Sequence, residues 1–228
     1  MLRSTANDIL DDCDGFIRSY GLCLPPFAYW SPEEMRTRTA TDSAMIRDHM
    51  LGWDITDYGQ GRFDELGLFL FTLRNGNQAN VARGLGMLYA EKIMISGDGQ
   101  NSPMHRHNLK TEDIINRGGG TLVLELFHAA GDGSIDENAE VSVRTDGVMR
   151  RMPGGSRLTL APGESVTLEP DTWHGFWGEG GRVLIGEVSN VNDDRTDNVF
   201  REDIGRFSTI VEDVEPRHLL VSDYPAWL

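Results

Sequence analysis

His105 and His107 stand one residue apart in Pro103-Met-His-Arg-His107, and a carboxylate, Glu112, follows shortly after. On a β-strand, residues two apart project to the same face, so the two imidazoles would point the same way. Two imidazoles and a carboxylate form a mixed nitrogen and oxygen donor set, suited to a borderline or hard divalent metal such as Mn, Fe, Co, Ni or Zn. Three or four protein ligands around such an ion leave coordination positions open, as in a reactive site. The parity of the numbering adds a constraint. Glu112 is even and the histidines odd, so the strand phase has to switch across Asn108–Thr111, at a turn or bulge. Beyond that switch Lys110 shares parity with Glu112, which would aim its ammonium at the same place; a solvated loop lysine is the other reading.

The spacing Gly99, five residues, His-x-His, four residues, Glu112, six residues, Gly119 resembles the first motif of the cupin superfamily. Its second motif supplies a further histidine some way downstream, and His174, with ten residues between it and Gly163, stands at that interval. Inside the interval the chain departs from the pattern: Pro170 falls one place late, Thr172 replaces a glycine, and the usual asparagine is absent. The four expected ligands are therefore His105, His107, Glu112 and His174. With two adjacent open positions, the ion could hold vicinal carbonyl and hydroxyl oxygens, polarise the carbonyl and ease removal of the α-proton. A carboxylate nearby could then carry that proton between neighbouring carbons. The same site could bind dioxygen, so donor chemistry alone leaves isomerase and dioxygenase open.

Elements able to position these groups are visible along the chain. Apolar residues Ile9, Leu10, Cys13, Phe16, Ile17 and Tyr20 recur at helical spacing over 4–20. Ser4 is the expected N-cap and Gly21 the expected stop. Pro25-Pro26 predicts an extended run through Trp30. Ser31-Pro32-Glu33-Glu34 reads as a helix start, and a short helix is expected over 42–50. After Trp53 the pattern becomes that of short strands separated by glycine turns, at about 67–73, 87–95, 102–107, 111–116, 121–128, 140–144, 156–160, 164–169, 173–178 and 182–190. The fold class expected is all-β, a cupin jelly-roll barrel with an N-terminal helical extension. The expected organisation is a helical arm over 1–52, a barrel over 53–190 and a tail over 191–228 that covers the barrel mouth.

Composition sets limits. Among 228 residues, 36 acids outweigh 21 bases for a net charge of −15, which disfavours nucleic acid and anionic membrane as partners. The sequence shows no signal peptide and no apolar run long enough to span a bilayer, and a cytoplasmic location is expected. Cys13 and Cys23 read as two buried thiols of an intracellular protein. The aromatics Phe27–Trp30 are expected to pack the arm on the barrel, and Trp173, Phe176 and Trp177 to be core more than sugar-stacking platforms.

Several longer stretches resemble the D-lyxose isomerase family of cupin sugar isomerases. Among them are Leu24-Pro-Pro-Phe-Ala-Tyr-Trp-Ser-Pro-Glu33, Leu51-Gly-Trp-Asp-Ile-Thr-Asp57, Lys110-Thr-Glu-Asp-Ile-Ile-Asn-Arg-Gly-Gly-Gly120, Trp173-His-Gly-Phe-Trp177 and Gly186-Glu-Val-Ser-Asn-Val-Asn-Asp-Asp194. Arg195-Thr-Asp-Asn198 and Glu202-Asp-Ile-Gly-Arg-Phe207 continue the likeness, while 77–86 and 129–155 are the least family-like segments. The resemblance implies a manganese-favouring homodimer interconverting D-lyxose and D-xylulose, with D-mannose and D-fructose as a second pair, by proton transfer between C1 and C2 through a metal-stabilised cis-enediol. It matches His105, His107, Glu112 and His174 to the metal ligands. Lys110 is the candidate cation for the developing oxyanion, and Glu202, Asp194 and Glu187 are candidate acid/base groups. Glu187 shares a strand face with Val183 and Ile185, so it lies in the lumen if that face does and on the surface otherwise. Lys92 is a candidate substrate contact, or a structural partner of Glu125. The competing readings are a cupin dioxygenase, a sugar-phosphate isomerase, for which no Arg/Lys cluster stands out, and a non-catalytic sugar-binding cupin.

Overall fold

Alternation of side chains across paired strands builds this molecule. The computed structural model describes residues 1–228. Helix α1 (Arg3–Ser19) leads into a 3-10 turn at Pro26–Tyr29, then α2 (Pro32–Thr39) and α3 (Ala44–Asp48). Strands β1 (Gly52–Thr56) and β2 (Leu68–Arg74) follow, then the short α4 (Gln78–Val81), β3 (Tyr89–Ser96), β4 (Ser102–His107) and the long β5 (Glu112–Ala129). Next come β6 (Ile135–Asp136), β7 (Glu140–Thr145), β8 (Val148–Pro153), β9 (Ser156–Leu160), β10 (Ser165–Leu168), the long β11 (Thr172–Asn190) and β12 (Asn198–Phe200), before a closing helical turn α5 (Tyr224–Trp227). The main sheet runs β1-β2-β3-β11-β5-β10-β7-β8, with β4 bridging β11 and β12, and β6 and β9 on β5. Every strand pairing is antiparallel. This is the all-β cupin jelly roll with its N-terminal helical extension.

The pleat sorts residues between two cores. Leu68, Leu70, Met94, Val183 and Ile185 join Leu122, Leu124 and Leu126 in the barrel interior. Their strand neighbours Phe69, Phe71, Ile93, Ile95 and Leu184 face outward. There they meet Ala6, Leu10, Cys13 and Ile17, the apolar stripe of α1. Burying such a stripe, at roughly 25 cal/mol per Å² of apolar surface, is what holds a helix of this length in place. The polar residues that fall on the inward face are the exceptions, and Asp54, Lys92 and Glu187 are all of this kind: each is buried.

Several local expectations change. Helix α1 begins after Leu2, an apolar N-cap with no acceptor, and Ser4 lies inside the helix with its hydroxyl donating to Asp213. The segment after Pro25 tightens into the 3-10 turn rather than running extended. The Ser31–Glu34 capping box forms as the sequence suggests. Gly118–Gly120 and Gly178–Gly181 do not end strands: β5 and β11 pass through them, paired to each other with a register shift between Glu179 and Val183. Close approach of the two backbones explains the glycines, since Gly119 has φ +96° and a Cβ there would collide with the Arg182 carbonyl oxygen. Strands β1 and β8 lacked the glycine-bounded apolar signature and were not expected. Cys13 is buried as anticipated, but Cys23 is exposed, since it lies just past the end of α1 in the link to Pro25.

The C-terminal segment ties back onto the rest. Buried Arg3 pairs with Asp223 at 2.8 Å and Glu212 at 2.7 Å, Leu2 bridges Val211, and Trp53 bridges Leu220. Asn198, Phe200 and Arg206 supply one wall of the cavity described next.

Candidate metal centre

Strand β4 presents His105 and His107 inward, as period two requires, and β11 places His174 directly opposite His105. Glu112 opens β5. One ligand atom from each of His105, His107, Glu112 and His174 falls within 4.8 Å of the others. The phase switch between β4 and β5 is a sharp bend at Asn108–Leu109. Asp197 fixes it: its carboxylate accepts the backbone N–H groups of Asn108 (3.0 Å), Leu109 (2.8 Å) and Lys110 (3.1 Å). Nothing in the pattern of the sequence marked Asp197 for this role; its usefulness depends on β12 docking beside β4.

The hydrogen bonding of the imidazoles is that of ligands. His105 Nδ1 lies 2.8 Å from the Pro103 carbonyl and His174 Nδ1 lies 3.1 Å from the Thr172 carbonyl. An oxygen acceptor at Nδ1 requires the N–H there, which leaves each Nε2 with a lone pair directed at the cluster. Burial, followed by the neighbouring His174 and His107, holds His105 well below its ordinary pKa, and burial followed by Lys110 lowers His107. Both shifts favour the neutral ring, the form that binds metal. Both nitrogens of His107 and Nε2 of His174 are buried with no hydrogen-bond partner. The unpartnered Nε2 atoms of His107 and His174, converging with the Glu112 carboxylate, fit a divalent cation, and the cluster is a candidate site for one.

Glu112 divides its oxygens. Oε1 lies 3.1 Å from His174 Nε2 and 3.3 Å from His107 Nε2, while Oε2 lies 2.6 Å from Lys110 Nζ. Lys110 Nζ also reaches Glu187 Oε1 at 3.0 Å and donates to Asn192 Oδ1 at 3.3 Å. Glu187 Oε1 lies 3.5 Å from Lys92 Nζ, which in turn is 3.4 Å from Asp194 Oδ1. Arg206 Nη2 then joins Asp194 (3.1 Å) to Asp54 (2.9 Å). A chain of alternating charge therefore runs from Asp54 on β1 to the metal cluster. Burial opposes the Lys110 charge, but Glu112, Glu187 and Asp194 outweigh it and raise its pKa above the ordinary value. Burial works against the Asp194 charge too, yet Arg206, Lys92 and Lys110 prevail and hold its pKa far below the usual carboxylate range. Asp54 goes the other way: burial raises it more than Arg206 lowers it.

These groups line a small pocket of about 40 Å³ with Tyr58, Met94 and Phe176. Of the candidate residues, Lys92, Lys110, Glu187 and Asp194 border it beside His105, His107 and Glu112. Glu187 is on the lumen side, with Val183 and Ile185. Lys92 faces Glu187 and Asp194, not Glu125. Glu202 is not brought to the cavity: it is exposed in a bend just beyond β12, and four residues later Arg206 is the member of that motif that turns inward. Arg206 and Asp54 were not singled out by sequence reasoning. The available signal was a lone acid, Asp54, between the apolar Trp53 and Ile55.

Comparison with known proteins agrees with this arrangement. The family model described as D-lyxose isomerase matches residues 1–224. The chain is 46% identical over 226 residues to a D-lyxose/D-mannose isomerase of Serratia proteamaculans, covering 98% of each. It is 42% identical over 228 residues to one of Escherichia coli O157:H7, again covering 98% of each. Its fold is similar to that of Cellulomonas parahominis L-ribose isomerase, solved with L-psicose, with a TM-score of 0.59 at 16% identity over 92% of this chain and 98% of that one. An L-ribose isomerase mutant of Acinetobacter sp. DL28 in complex with L-ribose gives a TM-score of 0.60 at 13% identity, with the same coverage. The chain belongs to the D-lyxose isomerase family.

Proposed function

We propose that this protein is a metal-dependent aldose–ketose isomerase that interconverts D-lyxose with D-xylulose and D-mannose with D-fructose. The observation that carries the reading is the convergence of His105, His107, Glu112 and His174, with orphaned imidazole nitrogens, beside a buried Lys110–Glu187 pair. These four residues would hold the ion, and the manganese preference implied by the family suits their mixed donor set. When bound, the ion supplies Lewis acidity that polarises the sugar carbonyl.

The chain's own side chains supply the rest. Lys110 Nζ, kept charged by three carboxylates, is a fixed cation beside the oxygen that gains negative charge as the C2 proton leaves. It is a poor general base for the same reason. Glu187, held by Lys110 and Lys92, is the carboxylate best placed to take the proton from one carbon and return it to the next. Asp194 and Arg206 line the side of the cavity away from the histidines and are suited to sugar hydroxyls. Apolar Met94, Phe176 and Phe200 exclude water from the remainder. A homodimer is the assembly that the family resemblance supports. The free thiols of Cys13 and Cys23 suit the reducing cytoplasm.

The test is to strip metal, restore Mn(II), and incubate with D-lyxose and D-mannose in deuterated water. Conversion with deuterium at the carbon that receives hydrogen is expected. No conversion of any of these sugars by protein shown to contain metal refutes the reading. Oxygen consumption coupled to turnover would favour the dioxygenase instead.

A further inference from the structure

The cavity at the metal cluster is far too small for its substrate. At about 40 Å³ it lies well below the range typical of small-molecule sites. Beside it lies a second cavity of about 510 Å³, within the range typical of small-molecule sites. The two share a wall residue. Asp194 lines both cavities, and its carboxylate meets Lys92 and Arg206 on the inner side. Asn192 lines the outer cavity while its Oδ1 accepts from Lys110 Nζ. Asn75, also on the outer wall, exchanges two hydrogen bonds with the Asn192 backbone, donating to its carbonyl and accepting from its N–H, both at 2.9 Å.

The outer cavity is built of groups that suit polyhydroxylated ligands. Asp48, Asn77, Gln78 and Asp193 offer carboxylate and amide partners, and Phe207 offers an apolar face. Gln78 is exposed on α4 and uses its side chain in no hydrogen bond within the chain. None of these residues belongs to the metal cluster.

We propose that the outer cavity is a monosaccharide-binding antechamber, in which an aldose or ketose is held before the Asn192–Asp194 partition yields and admits it to the metal site. This rests on the isomerase reading for the identity of the sugar, but not for the existence of the chamber. Two features already described make the partition the movable part. It belongs to no strand, since 191–197 lies between β11 and β12, and residues 192 and 194 are tied to their neighbours across the wall by bonds that involve side chains. The Lys110 contact of Asn192 is to a neutral amide oxygen, an acceptor that a sugar hydroxyl can replace while Asp194 keeps its ion pairs to Lys92 and Arg206.

The experiment uses the metal-loaded protein carrying Gln78→Cys with Cys23→Ser, so that the only accessible thiol is in the outer cavity; Cys13 is buried. Methanethiosulfonates of increasing size are attached and removed again with reductant. D-lyxose, D-mannose and D-glucitol are tested for protection of the introduced thiol. If the chamber binds monosaccharides, the labelling rate falls about tenfold once free D-lyxose exceeds its dissociation constant about tenfold. Labelling unaffected by any of the sugars overturns the binding site, whether or not the protein is an isomerase. If the chamber is the route, a bulky adduct lowers kcat/KM about tenfold by slowing association, a methyl adduct does not, and reductant restores the rate. The same bulky adduct on Cys23 of the unmutated protein is the control and leaves kcat/KM unchanged. A bulky adduct in the chamber that leaves kcat/KM within twofold overturns the route. Absence of isomerisation in the unlabelled protein counts against the isomerase reading, and the protection measurement still decides the chamber.

Discussion

Removing Arg206 should expose how much the charge chain depends on it. Asp54 has no solvent exposure, and its only countercharge in contact is Arg206 Nη2 at 2.9 Å; neither Asp54 oxygen makes an aligned hydrogen bond. Arg206→Met keeps the volume and leaves a buried carboxylate alone, a change that typically costs about 3–5 kcal/mol. That cost is pH-dependent. The Asp54 pKa is raised in the fold, burial being the main cause, and losing the guanidinium raises it further. A native carboxyl that keeps its proton above the unfolded value of about 3.9 favours folding at low pH, and this contribution is lost as pH rises through the folded pKa. Asp194 works in the same direction. Its depressed pKa adds stability above the unfolded pKa, and without Arg206 part of that stability disappears. The deficit of Arg206→Met is therefore small near pH 4 and grows toward neutrality, by about 1.4 kcal/mol for each pKa unit gained by Asp54. Adding Asp54→Asn removes the stranded charge and should recover most of it. Urea unfolding of the metal-loaded proteins at pH 5 and pH 7.5 measures these differences. A deficit equal at both pH values, or a double variant no more stable than the single, refutes the reasoning.

Three further outcomes are expected. Chelating the metal should lower the melting temperature by about 5–10 °C, because saturation at a hundredfold excess over Kd is worth about 2.7 kcal/mol and a domain of this size shifts about 2–4 °C per kcal/mol; scanning calorimetry with and without Mn(II) reads it. No shift in protein shown by elemental analysis to have lost an ion would contradict the ligand assignment. Glu187→Gln should reduce kcat about 10²–10⁴-fold with metal content intact, the range of a general acid/base, while Glu202→Gln stays near the parent rate; the opposite ranking would return the base to the exposed bend. Native protein should present one thiol per chain to a disulfide reagent at pH 8 and two in denaturant, since burial lifts the Cys13 thiol to about 12 while Cys23 is exposed. Two fast thiols in the native protein would mean that α1 does not stay packed.

The four clustered residues were legible because the His-x-His pair has period-two spacing within one strand, and Glu112 and His174 stand at the intervals of the cupin motifs. The switch of phase before Glu112 was legible too, as a mismatch of parity. What supports them was not. Asp197 acts on the bend after β4 and Arg206 on Asp54 of β1, and sequence separations of about 90 and about 150 residues carry no local periodicity. The motif Glu202–Phe207 drew attention to an acid, yet the bend after β12 turns Glu202 outward and Arg206 inward. The glycine runs misled for a related reason. At Gly118–Gly120 glycine serves the near contact of β5 with β11 and not chain reversal, and only the pairing partner distinguishes the two uses.

The sign of the whole array bears on which sugar it can serve. Asp54, Asp194, Glu187 and Glu112 alternate with Arg206, Lys92 and Lys110, so four carboxylates face three cations among neutral imidazoles. The cluster is one charge negative by itself and becomes one charge positive with a divalent ion. That balance suits a neutral sugar on which a single oxygen acquires negative charge during proton transfer. It does not suit a sugar phosphate. A phosphate brings nearly two charges at neutral pH, and each of Lys92, Lys110 and Arg206 already faces carboxylates within 3.5 Å. Recruiting any of them would strand a buried acid, at a cost of several kcal/mol. The charges that make the pocket polar enough for a neutral aldose are therefore the same ones that close it to a phosphorylated one.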